Sequence, residues 1–177
     1  GKLVAEGTEE NPITFTSGGD QPWYYLYFGP YTGEGSILSH CVIENGGYSG
    51  NGMLYVHTDK LTIEHCTIRN SVSSGLYLTS NGVPVLTENS YENNATYPIH
   101  VTTAESLSAI DSASTYTGDN DNRICVADST LASDATMADA GTPYFFNAYT
   151  QIYNNATLTI QPGAKLQFAS NRYLYVG

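Results

Sequence analysis

Five copies of one short phrase recur along this chain at a nearly constant interval, and few folds accommodate that. They read "CVIEN" at Cys41 to Asn45, "CTIRN" at Cys66 to Asn70, "NSYEN" at Asn89 to Asn93, "STYTG" at Ser114 to Gly118 and "ATMAD" at Ala135 to Asp139. Their first residues step by 25, 23, 25 and 21. The third position is always large (Ile43, Ile68, Tyr91, Tyr116, Met137), the first is small or of middling size, and the fifth is Asn, Asn, Asn, Gly, Asp. A second column keeps step with it: "LYV" from Leu54, "LYL" from Leu76, "IHV" from Ile99, "ICV" from Ile124 and "YFF" from Tyr144, with "LYF" from Leu26 and "LYV" from Leu174 as outer members. Alternation at period two turns the outer pair of each triplet inward and its middle residue to the surface.

Helix signals are almost absent, because no long stretch spaces apolar residues at i, i+3, i+4 and i+7 between caps. Short β-branched and aromatic triplets between Gly, Asn, Asp and Ser read instead as all-β. A period of about two dozen residues holding several strands and no helix is the mark of a β-solenoid. Its coils stack about 4.8 Å apart, so equivalent side chains form columns. The spacing predicts one right-handed parallel β-helix domain over residues 1–177, with about seven coils, handedness following the rule for parallel crossovers. Asn45, Asn70 and Asn93 are expected to stack as a turn ladder, since Asn tolerates left-handed angles and its amide can bond the next Asn. Cys41 and Cys66 should stack as buried small hydrophobes, and residues 29–36 and 148–162 are expected to break the period.

Composition limits the partners. Of 177 residues, 17 are acidic and six basic (Lys2, Lys60, Arg69, Arg123, Lys165, Arg172), for a net charge of −11. With its few cations scattered, such a surface repels nucleic acid and anionic lipid. No apolar run approaches the roughly 20 residues a membrane span needs, so no membrane insertion is expected. Three cysteines without CxxC spacing suggest neither a metal site nor a disulfide framework.

The candidates for chemistry are few. "GDNDNR" holds Asp119, Asp121 and Arg123, the one set suited to an acidic-polysaccharide lyase or hydrolase, but its Asp, Asn and Gly also suit a polar turn. His40 and His65 share a repeat position, and two ligands without a third make a poor metal site. No catalytic residue, cofactor or metal is therefore assigned. The middle residues Tyr27, Tyr55, Tyr77, His100, Cys125, Phe145 and Tyr175 are expected to form an exposed aromatic stripe, with Cys125 facing outward. Exposed apolar patches commonly mark interaction sites, so this stripe is the expected contact for another chain or a surface glycan. Sequons stand at Asn94 and Asn155.

The phrases "ATLTIQPGAKLQF", "NRYLYVG", "GKLVAEGTEENPITFTS", "LTIEHCTIRNS" and "STYTGDN" resemble the right-handed parallel β-helix repeat proteins found on the surfaces of bacteria and archaea. The resemblance implies the fold and a place outside the cell or at its surface. Adhesive, structural and polysaccharide-processing members are all known in such a family. In it, a phrase like "YLYVG" is ordinarily followed by one like "GKLVAEG", which here stand at opposite ends. Gly1, Lys2, Leu3 and Val4 and Leu174, Tyr175, Val176 and Gly177 thus read as two halves of one junction. Open solenoid ends expose strand edges and core, and a heterologous end-to-end contact propagates. The expectation is a self-assembling structural unit, uncapped at both ends, of an extracellular filament, sheath or surface array, either one period of a longer tandem polypeptide or a separate processed subunit that stacks non-covalently. An adhesin or carbohydrate-binding module is the alternative.

Overall fold

The computed structural model describes residues 1–177 apart from 49, 81 and 128, with the backbone alone at 129. The chain winds through three strand positions per coil. Seven strands form the longest sheet, in the stacking order Leu26–Phe28, Leu54–Val56, Leu76–Leu78, Ile99–Val101, Ile124–Val126, Tyr144–Phe146 and Leu166–Phe168. A second sheet joins Ile13–Phe15, Cys41–Glu44, Thr67–Arg69, Ser90–Glu92 and Thr115–Thr117. A third joins Val4–Glu6, Ser36–Ser39, Leu61–Glu64 and Val85–Thr87. Neighbouring strands are parallel and in register, as in Leu54 to Leu76, Tyr55 to Tyr77 and Val56 to Leu78. This is an all-β parallel solenoid of about seven turns, as the spacing predicts.

Period-two alternation sends Leu54, Val56, Leu76, Leu78, Ile43, Ile63 and Ile68 fully into the core. Because each coil offers its neighbour the same shape, the core is a set of apolar columns instead of one cluster.

The corners explain the repeated polar positions. His40, His65 and Glu88 turn one corner with φ of 48°, 51° and 51°, and Asn45, Asn70, Asn93 and Gly118 turn the next with 58°, 56°, 54° and 71°. A single left-handed residue swings the chain sharply from one sheet to the next, and Asn and Gly bear that geometry best. At Gly118, with φ of 71°, a Cβ would lie 2.3 Å from Asn93 Oδ1, so a larger residue would force the stacked Asn side chain to move. The Asn column thus exists as backbone shape, while Asn45 Nδ2 donates to Thr16 Oγ1 at 3.2 Å.

The hydrogen-bonded ladders run just after these corners. Cys41 N–H donates to Cys66 Sγ at 3.4 Å, Cys66 N–H to Asn89 Oδ1 at 3.0 Å, and Asn89 N–H to Ser114 Oγ at 3.0 Å. A second ladder runs from Ser71 N–H to Asn94 Oδ1 and from Asn94 N–H to Asp119 Oδ1. A buried N–H costs free energy when unpaired, so the side chain one coil on supplies the acceptor. The first position of the repeated phrase is therefore an acceptor site as well as a small one.

One element departs from the expected repeat. A six-residue 3-10 turn, Ala104–Ala109, is inserted after Ile99–Val101. Glu105 Oε1 accepts from the N–H groups of Ala132 and Ser133, at 2.8 and 3.3 Å, and Ser108 Oγ from Thr136 N–H at 3.0 Å. The chain above it therefore starts new sheets. Ser129–Leu131, Thr150–Ile152 and Leu174–Val176 form one, and Ala135–Met137 with Leu158–Ile160 the other. Three expectations are corrected. Ala135–Met137 does not stack on Thr115–Thr117 but pairs with Leu158–Ile160, with Met137 opposite Ile160. Leu174–Val176 is not an outer member of the long sheet; Leu166–Phe168 is, with Gln167 opposite Phe145. Residues 148–162 carry two regular strands of the new sheets and are no break.

Candidate functional site

The long sheet carries the aromatic column on its outer face. Tyr27 packs on Tyr55 with ring centroids 5.2 Å apart, Tyr55 on Tyr77 at 5.2 Å and only 8° from parallel, and Tyr77 on His100 at 4.8 Å. Parallel in-register pairing places these rings one coil apart, about the thickness of a stacked aromatic pair. Tyr24, Tyr25, Tyr48 and Tyr97 widen the column: Tyr25 lies 5.9 Å from Tyr55, Tyr24 5.0 Å from Tyr48, and Tyr97 6.1 Å from His100. The flanking members belong to turns outside the triplets, so the repeat does not single them out. Burial holds the His100 imidazole below its usual range, toward the neutral form.

The stripe is shorter than the sequence suggests. Cys125 keeps the register between His100 and Phe145, yet it is fully buried instead of facing solvent. Tyr97 hydrogen-bonds it, and burial pushes its thiol up to about 12. Arg123 then lies over the Phe145 ring, 3.6 Å from its centroid, and donates to Gln167 Oε1 at 3.1 Å. Tyr175 stands on another sheet opposite Gln151, so it is not on one face with Tyr55 and Tyr77. The reason is the order of strands: Leu174–Val176 follows Leu166–Phe168 and occupies the next strand position of the coil, not the long sheet. Where rings stack, their faces are already occupied, and solvent meets edges and hydroxyls. Tyr27 is the open end of the stack and is 53% exposed.

The acidic group resolves into turn chemistry. Asp119 is buried and accepts from Asn94 N–H and Nδ2, and burial raises its carboxyl above the usual range. Asp121 accepts from Arg123 Nε at 2.8 Å, and that pairing holds its carboxyl below the usual range. His40 and His65 stack at 4.8 Å, with His65 Nδ1 3.5 Å from Glu88 Oε2. Among the described residues no group of three or more His, Cys, Asp or Glu side chains is placed to hold a metal. Of the two sequons, Asn94 lies inside the second ladder and Asn155 is exposed with φ of 59°.

The two end coils are the second candidate surface. Each core column terminates there in inward-pointing apolar side chains. At the first coil these are Leu3, Ile13, Phe15 and Leu26; at the last coil they are Ile160, Phe168 and Val176, exposed by 43%, 42% and 71%. The first coil also presents an open cavity of about 640 Å³ lined by Leu3, Leu26, Phe28, Pro30 and Tyr31. Lys2 and Gly1 stand at its rim, Gly1 O accepting from Gly33 N–H. Val4 faces outward, as do Tyr175 and the strand edge ending at Gly177.

The family model described as "Right handed beta helix region" matches residues 25–171. No curated protein and no solved structure gives a match.

Proposed function

This chain belongs to the right-handed beta helix family, and from that premise we propose that it is a structural unit which stacks head to tail on copies of itself in an extracellular filament, sheath or surface array. One observation carries the reading: the two open ends offer the same inward and outward pattern at all three strand positions. Leu166-Gln167-Phe168 matches Leu26-Tyr27-Phe28 as large, middle, large. Leu158-Thr159-Ile160 matches Ile13-Thr14-Phe15 in the same way. Leu174-Tyr175-Val176 matches Leu3-Val4-Ala5, with Leu3 and Ala5 turned to the core. Unpaired parallel edges with apolar column ends are templates for a further coil, and the opposite end of a second copy is one.

Two strand positions separate successive strands of the long sheet, and both Leu174–Val176 and Val4–Glu6 hold the first of those two. Stacking one end on the other keeps every position in phase. The reading is non-catalytic, because Asp121 and Arg123 pair with each other and Asp119 is turned inward. Sedimentation and negative-stain microscopy of the purified chain test it. Concentration-dependent linear polymers with an axial repeat near seven coils, roughly 34 Å at the inter-strand spacing, are expected. A chain that stays monomeric at high concentration sinks it.

A carbohydrate-binding or adhesive role is favoured by one feature, the tyrosines beside the open end of the column. Tyr24 and Tyr48 are 68% and 49% exposed, and their rings meet edge to face, which leaves ring surface free for a sugar. With a net charge of −11, the ligand in that reading is a neutral glycan. Glycan-array binding lost in Tyr24→Ala, in a chain that does not polymerise, would select this reading over the first.

A further inference from the structure

The charges are divided between the two ends. All 17 acidic residues lie within 1–139, and residues 140–177 carry only Lys165 and Arg172, a net of +2. Residues 1–35, which form the first coil and its exit turn, hold five acids (Glu6, Glu9, Glu10, Asp20, Glu34) against Lys2 alone, a net of −4. The end that presents the cavity is therefore acidic, whereas the last coil contributes only basic side chains, with Asp134 and Asp139 of the coil beneath packed against Thr157 and Gly163. In a rod of about seven coils the charged ends lie several Debye lengths apart at physiological salt, so each is felt separately by an approaching partner.

Shape follows the same polarity. The cavity lies where the chain passes from Leu26–Phe28 toward Ser36–Ser39, and the equivalent passage of the last coil is the turn from Phe168 to Leu174. That turn carries Tyr173, which is 51% exposed and packs on Tyr149 at 4.8 Å with the rings tilted by 44°, and Phe168 begins it. Phe168 itself stacks on Phe146 at 4.9 Å, so Phe28 of a second copy would extend the same column. Gln167 would cap the open face of Tyr27, closing the aromatic stack.

Resting on the stacking reading, we infer that the first-coil cavity is the receptor for the last coil of a second copy, Phe168 and Tyr173 entering it, with the −4 and +2 ends enforcing head-to-tail polarity. Head-to-head contact brings two acidic ends together and is repelled; tail-to-tail contact leaves both cavities empty. Opposite charge on approaching patches raises association rate more than final affinity, and salt removes that gain.

The test uses the 177-residue chain and follows polymer growth by light scattering at low and high salt. Lys165→Glu cancels the basic end, and Ser112→Glu with Ala113→Glu adds the same two units of negative charge at exposed positions in mid-chain. Lys165→Glu is expected to slow growth about 3–10-fold at low salt, with the difference gone near 1 M salt and the mid-chain variant close to wild type. A second arm mixes chains bearing Tyr27→Cys with chains bearing Gln167→Cys and adds a short bismaleimide. A covalent dimer forming only in the mixture supports the register. Polymers that grow alike in all variants, or Tyr27→Cys chains that cross-link to one another, overturn the polarity while leaving stacking intact. Absence of polymer from every arm sinks the stacking reading and this inference with it.

Discussion

Asp119 Oδ1 accepts two hydrogen bonds from Asn94, one from its backbone N–H at 2.7 Å and one from its Nδ2 at 2.8 Å. Asn94 in turn accepts from Ser71 N–H at 3.1 Å and donates to Ile68 O at 3.3 Å, so three coils are tied through one side chain. Removing such a link leaves buried donors and acceptors without partners. Asn94→Ala is expected to cost about 2–4 kcal/mol, the sum of at least two unsatisfied buried groups. Chemical denaturation followed by circular dichroism measures it, and a loss below about 1 kcal/mol would show the ladder to be dispensable.

Asp119 and Asp121 are two residues apart, and their carboxyl pKa values are shifted in opposite directions. Burial raises the Asp119 carboxyl above its ordinary value, and the Arg123 pairing lowers that of Asp121 below it. For a carboxyl with a raised folded pKa, stability is present at low pH and lost as pH rises through that pKa. For one with a lowered pKa, stability is present above the unfolded value and lost as pH falls through the folded one. Asp119→Asn should therefore stabilise the fold at about pH 7 relative to wild type, with the advantage gone near pH 3. Asp121→Asn should destabilise at about pH 7 and lose its effect in acid. Carbon-detected NMR titration of the two carboxyls resolves the order directly, and Asp121 titrating above Asp119 would contradict it.

The aromatic column separates internal from end positions. Tyr77 packs between Tyr55 and His100, whereas Tyr27 packs on Tyr55 alone and is half exposed. In the monomer Tyr77→Ala is expected to cost about 2–3 kcal/mol and Tyr27→Ala about 1 kcal/mol or less, counting ring contacts with partial burial. Assembly should rank them the other way, because Tyr27 lies at the open end. Denaturation midpoints beside polymer yields give both orders; equal loss of assembly in the two variants would place the junction elsewhere.

All three thiols should be silent in the folded chain. Cys41, Cys66 and Cys125 are buried, and burial pushes Cys66 and Cys125 up to about 12. Since the thiolate is the reacting form, a chromogenic disulfide reagent at about pH 8 is expected to find no fast thiol until denaturant is added. One thiol reacting rapidly in native conditions would show that Cys125 faces solvent after all.

The two sequons should behave differently in a glycosylating host. Asn155 sits exposed on a turn, whereas the Asn94 amide is committed to Ile68 O and Asp119. Peptide mapping by mass spectrometry is expected to find glycan at Asn155 alone on folded material. Glycan at Asn94 in a chain with native circular dichroism would mean the second ladder is not needed there.

The period, the in–out alternation of "LYV" and "LYL", and the stacking of Cys41 on Cys66 were legible in the sequence, because a parallel in-register coil repeats each residue's surroundings every two dozen positions or so. Asn45, Asn70, Asn93 and Gly118 announced a left-handed corner for the same reason. What the sequence did not show is where two of the three strand stacks are interrupted. Ala104–Ala109 has no period of its own, and only its contacts to Ala132, Ser133 and Thr136 reveal that new sheets begin above it. Tyr175 lies off the aromatic face because Leu174–Val176 follows Leu166–Phe168 at the next strand position, and Gln167 stands in the column instead. Cys125 is covered by Tyr97, a neighbour that no triplet pattern contains. Local alternation decides which way a side chain points within its strand; which strand lies above it, and what covers it, is decided by the whole winding of the chain.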